Sequence, residues 1–541
     1  MYLNDIDFPN RIIDSIQEHR LVVFAGAGAS VDPPTSLPNF EKLAERIAEG
    51  TDYTLKKKDS CEVFLGMLKS KEIPVNEQAA RILSGTCIEH NKLLEAIIDL
   101  FPDMEDIKIV TTNYDQMFEH VLNSRKTEYK IYDAPALPLG NDVKGIIHIH
   151  GNVNNPAYMI VTDEDFGKAY LTEGYASRFL VKLFESYTVL FIGYSYNDTI
   201  LRYLTRAMSR NNADRRFILT DDKKNDWSAL GINPIWFPKR RFASMRDGLV
   251  KLGVVARKGL LDWRKQLSDI SDAPPMDLTI DTEIDYCLET IERSRVLANC
   301  VHGSDWILFL DEKKVFDGCF SNCKKLSERD VIWANWLCDN CVGKEDEHIF
   351  QLIYKHNNGI SVGFSNLLAQ RLIRNKGLTD EVISKYVVLL ETTMNNSWII
   401  TRLLEDANDR NNTLLEFRLY KKLLTCRLTL QKGWFSKESL EYKHIFAGNY
   451  YEIQHSWELI KEGVCRTKAY EVLLFVHERI EDVFNQYVLA NRASNNSEPW
   501  EMSMLVIEDR DETSYREEVF QVLSQMYSDA AVFLSRKIVV H

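Results

Sequence analysis

Long uncharged apolar runs are missing from this sequence, and no stretch approaches the 18 or more residues that a membrane-spanning helix needs, so a membrane protein is not expected. The first residues, with Asp5 and Asp7 among them, lack the basic and then apolar pattern of a secretory signal. Positive charge is also in deficit. Lys and Arg number 66 against 79 Asp and Glu, a net charge of -13. A general nucleic-acid binder gains affinity by neutralising phosphates, so that class is disfavoured, the local run Lys239, Arg240 and Arg241 notwithstanding. Cysteine is scarce in the first half: of ten, only Cys61 and Cys87 precede residue 287. Thiols scattered in this way fit a reduced, cytoplasmic setting better than a secreted disulfide framework. The remainder, 45 % apolar and 27 % charged, is ordinary for a globular chain, and 541 residues allow about two to four domains.

From about residue 20 to 240, short apolar runs alternate with amphipathic segments, the pattern of repeated βα units and a largely parallel, Rossmann-like sheet. Strands are expected near 21–25, 107–111, 145–149, 187–192, 215–219 and 234–237. Between the first two, segments such as Glu62 to Leu68 and Leu93 to Leu100 have helical apolar spacing, which predicts a helical insertion over about 41–103. After a helix near Ser244 to Lys258 comes "SDISDAPPMDLT", read as part of a linker over 263–280. The expected organisation is therefore a catalytic α/β domain over 1–262, the linker, and an all-α domain over 281–541. In the last of these, stretches such as Val382 to Leu390 and Tyr470 to Ile480 keep a helical period.

Four short motifs fall where predicted strands end. "LVVFAGAGAS" closes a buried strand with Gly26, Ala27, Gly28 and Ser30, and the absence of Cβ at the glycines lets backbone N–H groups approach a bulky anion. A plain tight turn explains the same residues. "IVTTNYDQMFEH" sets Thr112, Asn113 and Asp115 at a helix start, where they either cap the helix or face a ligand at the carboxyl edge of the sheet. "GIIHIHGNV" puts His148 and His150 on one face of a strand by the two-residue period. A ligand contact and a buried, hydrogen-bonded side chain are both open for His148. "VLFIGYSYNDTILRYL" repeats the opening design with Gly193, Ser195 and Asp198.

Taken in this order, GAGAS, TTNYD, HIHG and GYSYND resemble the sirtuin family, over roughly residues 10–258. The resemblance is nearest to the sirtuin-like NAD hydrolases of bacterial anti-phage defence, such as the Thoeris effectors and relatives paired with ATPases. It implies NAD as substrate, with Gly26, Ala27, Gly28, Ser30, Thr112, Gly193, Ser195 and Asp198 around it and no metal. It further implies that Asn113 contacts the nicotinamide ribose and positions water, Asp115 holds the carboxamide, and His150 is the catalytic histidine. Those types suit cleavage of an N-glycosidic bond, where an imidazole that titrates near neutrality can accept a proton.

Departures from the family pattern disfavour its deacylating branch. The Gly-Ile-Pro-Asp-Phe-Arg segment of that branch is replaced by Leu37, Pro38, Asn39, Phe40 and Glu41, and two cysteines in the first 286 residues are too few for its zinc module. In the second half, Cys319, Cys323, Cys338 and Cys341 either bind zinc or lie in a helical core, since "DVIWANWLCDNC" reads as one amphipathic helix. The expectation is an NAD glycohydrolase that depletes NAD in abortive infection. Its helical half would be a sensor, regulator or assembly domain, and a homo-oligomer, a partner ATPase or a phage-derived trigger protein would gate it. An NAD-dependent protein deacylase and a catalytically silent NAD or nucleotide sensor are the alternatives.

Overall fold

Leu21–Ala25 forms strand β1, five residues of which none is more than 2 % exposed. Burial on both faces is what a run of Leu, Val and Phe with no alternation dictates, and each such side chain contributes about 1.5–3 kcal/mol on burial. In the computed structural model the described residues are 1–31, 33–56, 59–84, 91–196, 201, 205, 210–321, 325–356, 359–391, 393–394, 396–434, 442–468, 470–493 and 512–538. They fall into two compact units, 1–266 with 275–293, and 267–274 with 294–541.

The first unit is a seven-stranded, wholly parallel sheet. After β1 come β2 (Lys108–Thr111), β3 (Ile131–Asp133), β4 (Gly145–His148), β5 (Thr188–Ile192), β6 (Arg216–Thr220) and β7 (Asn233–Trp236). Their order across the sheet is β3-β4-β2-β1-β5-β6-β7. The chain thus winds to one side of β1 and then to the other, and the crevice above such a reversal is where open α/β sheets take ligands. Val22 and Phe24 share one core with Val110, Ile147, Val189 and Phe191, and the Phe24 and Phe191 rings lie 5.2 Å apart.

The Rossmann-like sheet and its helical insertion agree with the sequence pattern. The insertion consists of α2 (Phe40–Ala48), α3 (Cys61–Ser70), α4 (Val75–Ser84) and α5 (Lys92–Ile98), preceded by α1 (Asn10–Gln17). Three differences have physical causes. β3 has no counterpart among the expected strands, being a three-residue edge strand with no buried residue to give it a period. β4 ends at His148, one residue early, so the two-residue period does not extend to His150. The 263–280 stretch is not extended linker: helices Leu260–Ser268 and Leu278–Leu288 enter it, and 275–293 belongs to the first unit.

The second unit is helical, from Ser304–Glu312 through Glu512–Ile538, as the apolar spacing predicts. It also contains one antiparallel hairpin, Leu430–Trp434 with Tyr442–Phe446, whose "LQKGW" strand carries no alternating signal. Among the described residues, no helix is long and apolar enough to cross a membrane.

Candidate functional site

Register builds the site. Ala25 pairs with Thr111 on one side and Ile192 on the other, so Gly26, Thr112 and Gly193 leave the sheet side by side. The β1 and β5 loops then lock together: Gly26 N–H donates to the Ile192 carbonyl at 2.9 Å, and Gly28 N–H to that of Gly193 at 2.9 Å. A Cβ on Gly26 would lie 2.8 Å from the Gly193 oxygen and the Tyr194 ring, and one on Gly28 would lie 2.8 Å from Gly193 Cα. Gly193, at φ +81°, needs the left-handed region as well. An approaching anion is one reason for small residues here. The structure gives a nearer reason, because the N–H groups of Gly26 and Gly28 are committed to the neighbouring loop.

Above these loops opens a cavity of about 740 Å³, within the range that takes a cofactor-sized ligand. Ala27, Gly28, Ser30, Thr112, Asn113, Asp115, Gly193 and Ser195 all line it. Gly26 lies just behind, its carbonyl accepting from the Asn113 side-chain amide at 3.2 Å, and Asp198 lies outside the described residues. That amide also donates to Ser30 Oγ at 3.2 Å, so its Oδ1 is the atom left to face a ligand. Asp115 Oδ1 accepts from the Met117 N–H at 3.1 Å, at the start of α6 (Met117–Ser124). Capping and cavity-lining therefore coexist in one residue. Burial pushes the Asp115 carboxyl up, against the opposing pull of the Met117 hydrogen bond, His148 and Ser30.

The two histidines part company. His148 is fully buried beneath the turn that carries Asn113: its Nδ1–H donates to the Asn113 main-chain carbonyl at 3.0 Å, and its Nε2 meets Glu119 Oε1 at 2.6 Å. Burial pulls this imidazole down, but Glu119, the Asn113 carbonyl and Asp133 outweigh it, so its pKa is raised. His150 does not line the cavity. It is fully buried between Phe166 and Tyr170, Nε2 bonded to Tyr170 Oη at 2.8 Å and Nδ1 without a partner. With no charge near it, burial pushes its pKa down to about 3, so it is neutral at physiological pH. Tyr170 sits on a π-helical turn, Lys168–Thr172, a rare geometry concentrated at functional sites.

Several lining residues escaped the sequence analysis as site residues. Asn39, Phe40 and Glu41 were noted only as a departure from a family motif, yet they line the cavity. Asp221 closes "FILTD" just past β6, where an acid at the carboxyl edge was a legible signal. Phe237, Phe242 and Met245 add an apolar wall that no local motif announces.

Among the described residues, no three His, Cys, Asp or Glu side chains come together to hold a metal ion. Cys323 lies outside those residues, while Cys319, Cys338 and Cys341 are buried. Burial pushes the last two thiols up to about 12.

Residues 107–235, from the edge of β2 into β7, match the family described as "SIR2-like domain". Over that stretch the chain is similar to SIR2-like domains. The match takes in the TTNYD, HIHG and GYSYND segments, and β1 with its glycine loop pairs directly onto it. Protein y4cA of Sinorhizobium fredii is 27 % identical over 68 % of this chain and 33 % of its own length. NAD(+) hydrolase ThsA of Bacillus cereus is 24 % identical over 37 % of this chain and 42 % of its own. The ThsA of Acinetobacter baumannii is 25 % identical over 36 % and 40 %. The chain thus spans less than half the length of each of these relatives.

Proposed function

We propose that the SIR2-like domain hydrolyses NAD to nicotinamide and ADP-ribose as a gated effector of anti-phage defence. The bond between ribose C1′ and the nicotinamide nitrogen breaks with its electron pair going to the ring nitrogen. A water oxygen bonds to C1′, and the proton it loses passes to a base. The observation that carries the reading is the convergence of Ser30, Asn113 and Asp115 on one cavity at the reversal point of the sheet. The two relatives named NAD(+) hydrolase support it from outside.

In this reading Ala27, Gly28, Gly193 and Ser195 flank the pyrophosphate, with Gly26, Thr112 and Asp198 in support. Asn113 Oδ1 orients the ribose and water, and Asp115 holds the carboxamide. His150 is the base. The sealed pocket, which pushes its pKa down to about 3, disfavours proton uptake, so the role requires His150 to leave this burial, and a buried ring nitrogen without a partner is a cost that such a role would explain. Reaching the substrate requires the Lys168–Thr172 turn to carry Tyr170 away, and we therefore read this as a resting state. The helical unit, self-assembly, a partner ATPase or a phage-derived protein would supply the gate.

A second reading has a specific observation behind it. A sealed His150 also suits a silent NAD-binding sensor, and turnover separates the two. Purified full-length protein is incubated with NAD, alone and with lysate of phage-infected cells, and nicotinamide is followed by chromatography. Release that Asn113→Ala and His150→Ala abolish supports the hydrolase. Binding without release under every condition supports the sensor, and turnover of an acetylated peptide would point to a deacylase instead.

A further inference from the structure

We propose that the buried Glu119–His148 pair is the positioning device of the site, holding the Asn113 main-chain carbonyl so that the Asn113 side chain is presented to the cavity. The proposal rests on the reading of Asn113 given above. Neither residue lines the cavity, and both are engaged by each other and by Asn113, so the role assigned to them is positioning. Their geometry points at one that does.

The carbonyl of Asn113 is the acceptor, so His148 Nδ1 carries the hydrogen, and Nε2 faces Glu119 at 2.6 Å. One imidazole thereby ties helix α6 to the turn that precedes it. The other ties of Asn113 itself are weaker in kind: its N–H to Thr111 Oγ1 at 3.0 Å, and the side-chain amide to Gly26 and Ser30 at 3.2 Å. Without His148, the Asn113 peptide would lose its only charge-assisted anchor among these.

The acids around His148 favour its protonated form. Three carboxylates bear on the imidazole: Glu119 from α6, Asp133 from the end of β3 and Asp115 from the turn itself. An imidazolium under these acids satisfies both of its N–H groups, one on Asn113 and one on Glu119. The second oxygen of Glu119 is buried without a partner, so the carboxylate has no other contact to draw it away. Loss of the His148 proton at alkaline pH would leave Nε2 and Glu119 Oε1 as opposed acceptors at 2.6 Å and loosen the anchor. Activity should fall there for a reason unrelated to the base.

The test uses full-length protein and three variants: Glu119→Gln, His148→Asn and His148→Leu. Asparagine places an amide donor near the Nδ1 position, whereas leucine removes it. With NAD turnover as readout, His148→Leu should lower kcat about 10- to 100-fold while KM changes less than about threefold, as expected when a bound substrate meets a misplaced group. His148→Asn should recover part of that loss. Glu119→Gln should move the alkaline limb of kcat to lower pH. A His148→Leu enzyme with wild-type kcat per folded molecule, or an alkaline limb that Glu119→Gln leaves in place, overturns the proposal. If wild type turns over no NAD, the hydrolase reading fails, and crystal structures of wild type and His148→Leu decide this one alone. Asn113 displaced from Gly26 and Ser30 in the variant supports it, and Asn113 unmoved overturns it.

Discussion

The layer beneath Asn113 and the pocket behind β4 each contain one buried histidine, two residues apart in sequence, and the protein treats them in opposite ways. His148 is surrounded by acids and hydrogen-bonded at both nitrogens. His150 is enclosed by aromatic rings, with one nitrogen on Tyr170 and the other alone. Burial is equal, so the partners set the direction: acids raise the pKa of one imidazole, and burial without a charged partner lowers that of the other to about 3. A histidine at a strand end says little until its second neighbours are known.

The contrast can be broken at several points. The largest effect should come from Asn113→Ala, which removes the group that the His148 layer serves while leaving the His150 pocket untouched. NAD turnover, followed as nicotinamide release, should drop on the order of 100-fold. Next, Gly193→Ala forces a Cβ to within 2.5 Å of the Ala29 nitrogen at a positive φ. It should destabilise the first unit by about 1–3 kcal/mol in urea melts, damaging the shared loop scaffold without favouring either histidine.

The pH dependence of stability sharpens the comparison, because the two signs are opposite. His150 has a folded pKa of about 3 against an unfolded value of about 6.5, so the unfolded chain takes up the proton between them and stability falls as pH drops through that range. His148 has a raised folded pKa, so its contribution is complete below about 6.5 and is lost as pH rises through the folded value. Replacing His150 by Gln should flatten the acid side of a Tm-versus-pH curve, while Glu119→Gln should reduce Tm most below about 6.5 and least at alkaline pH.

Smaller effects follow from single groups. Tyr170→Phe removes the hydroxyl on His150 at a net loss of about 1 kcal/mol, and trigger-independent NAD turnover should rise roughly fivefold if that contact restrains the site. Asp115 is buried with its carboxyl pushed up by desolvation, so Asp115→Asn should raise Tm modestly at neutral pH while lowering turnover.

Strand ends were the legible part of the sequence. Runs such as Leu21–Ala25 and Thr188–Ile192 are apolar enough to be read alone, and the residues after them emerge together because a parallel register leaves no other place for them. That logic singles out Ala27, Ser30, Asn113, Asp115 and Ser195, which all line the cavity. What stayed hidden depends on contacts between distant segments. The need for Gly26 and Gly28 to be small lies in Gly193, more than 160 residues away. The sealing of His150 lies in Phe166 and Tyr170, whose apolar spacing reads as ordinary helix. The cysteines of the second unit show the converse: Cys338 and Cys341 have the two-residue gap of a metal site, and they are buried on a helix with Trp333 and Trp336.

The central claim is that the cavity between the β1 and β5 loops is an NAD site, and a structure of the full chain with a non-hydrolysable NAD analogue tests it most directly. The account predicts the pyrophosphate against Ala27, Gly28 and Ser195 and the nicotinamide ribose beside Asn113. An analogue bound elsewhere, or none bound to folded protein at millimolar concentration, would contradict it.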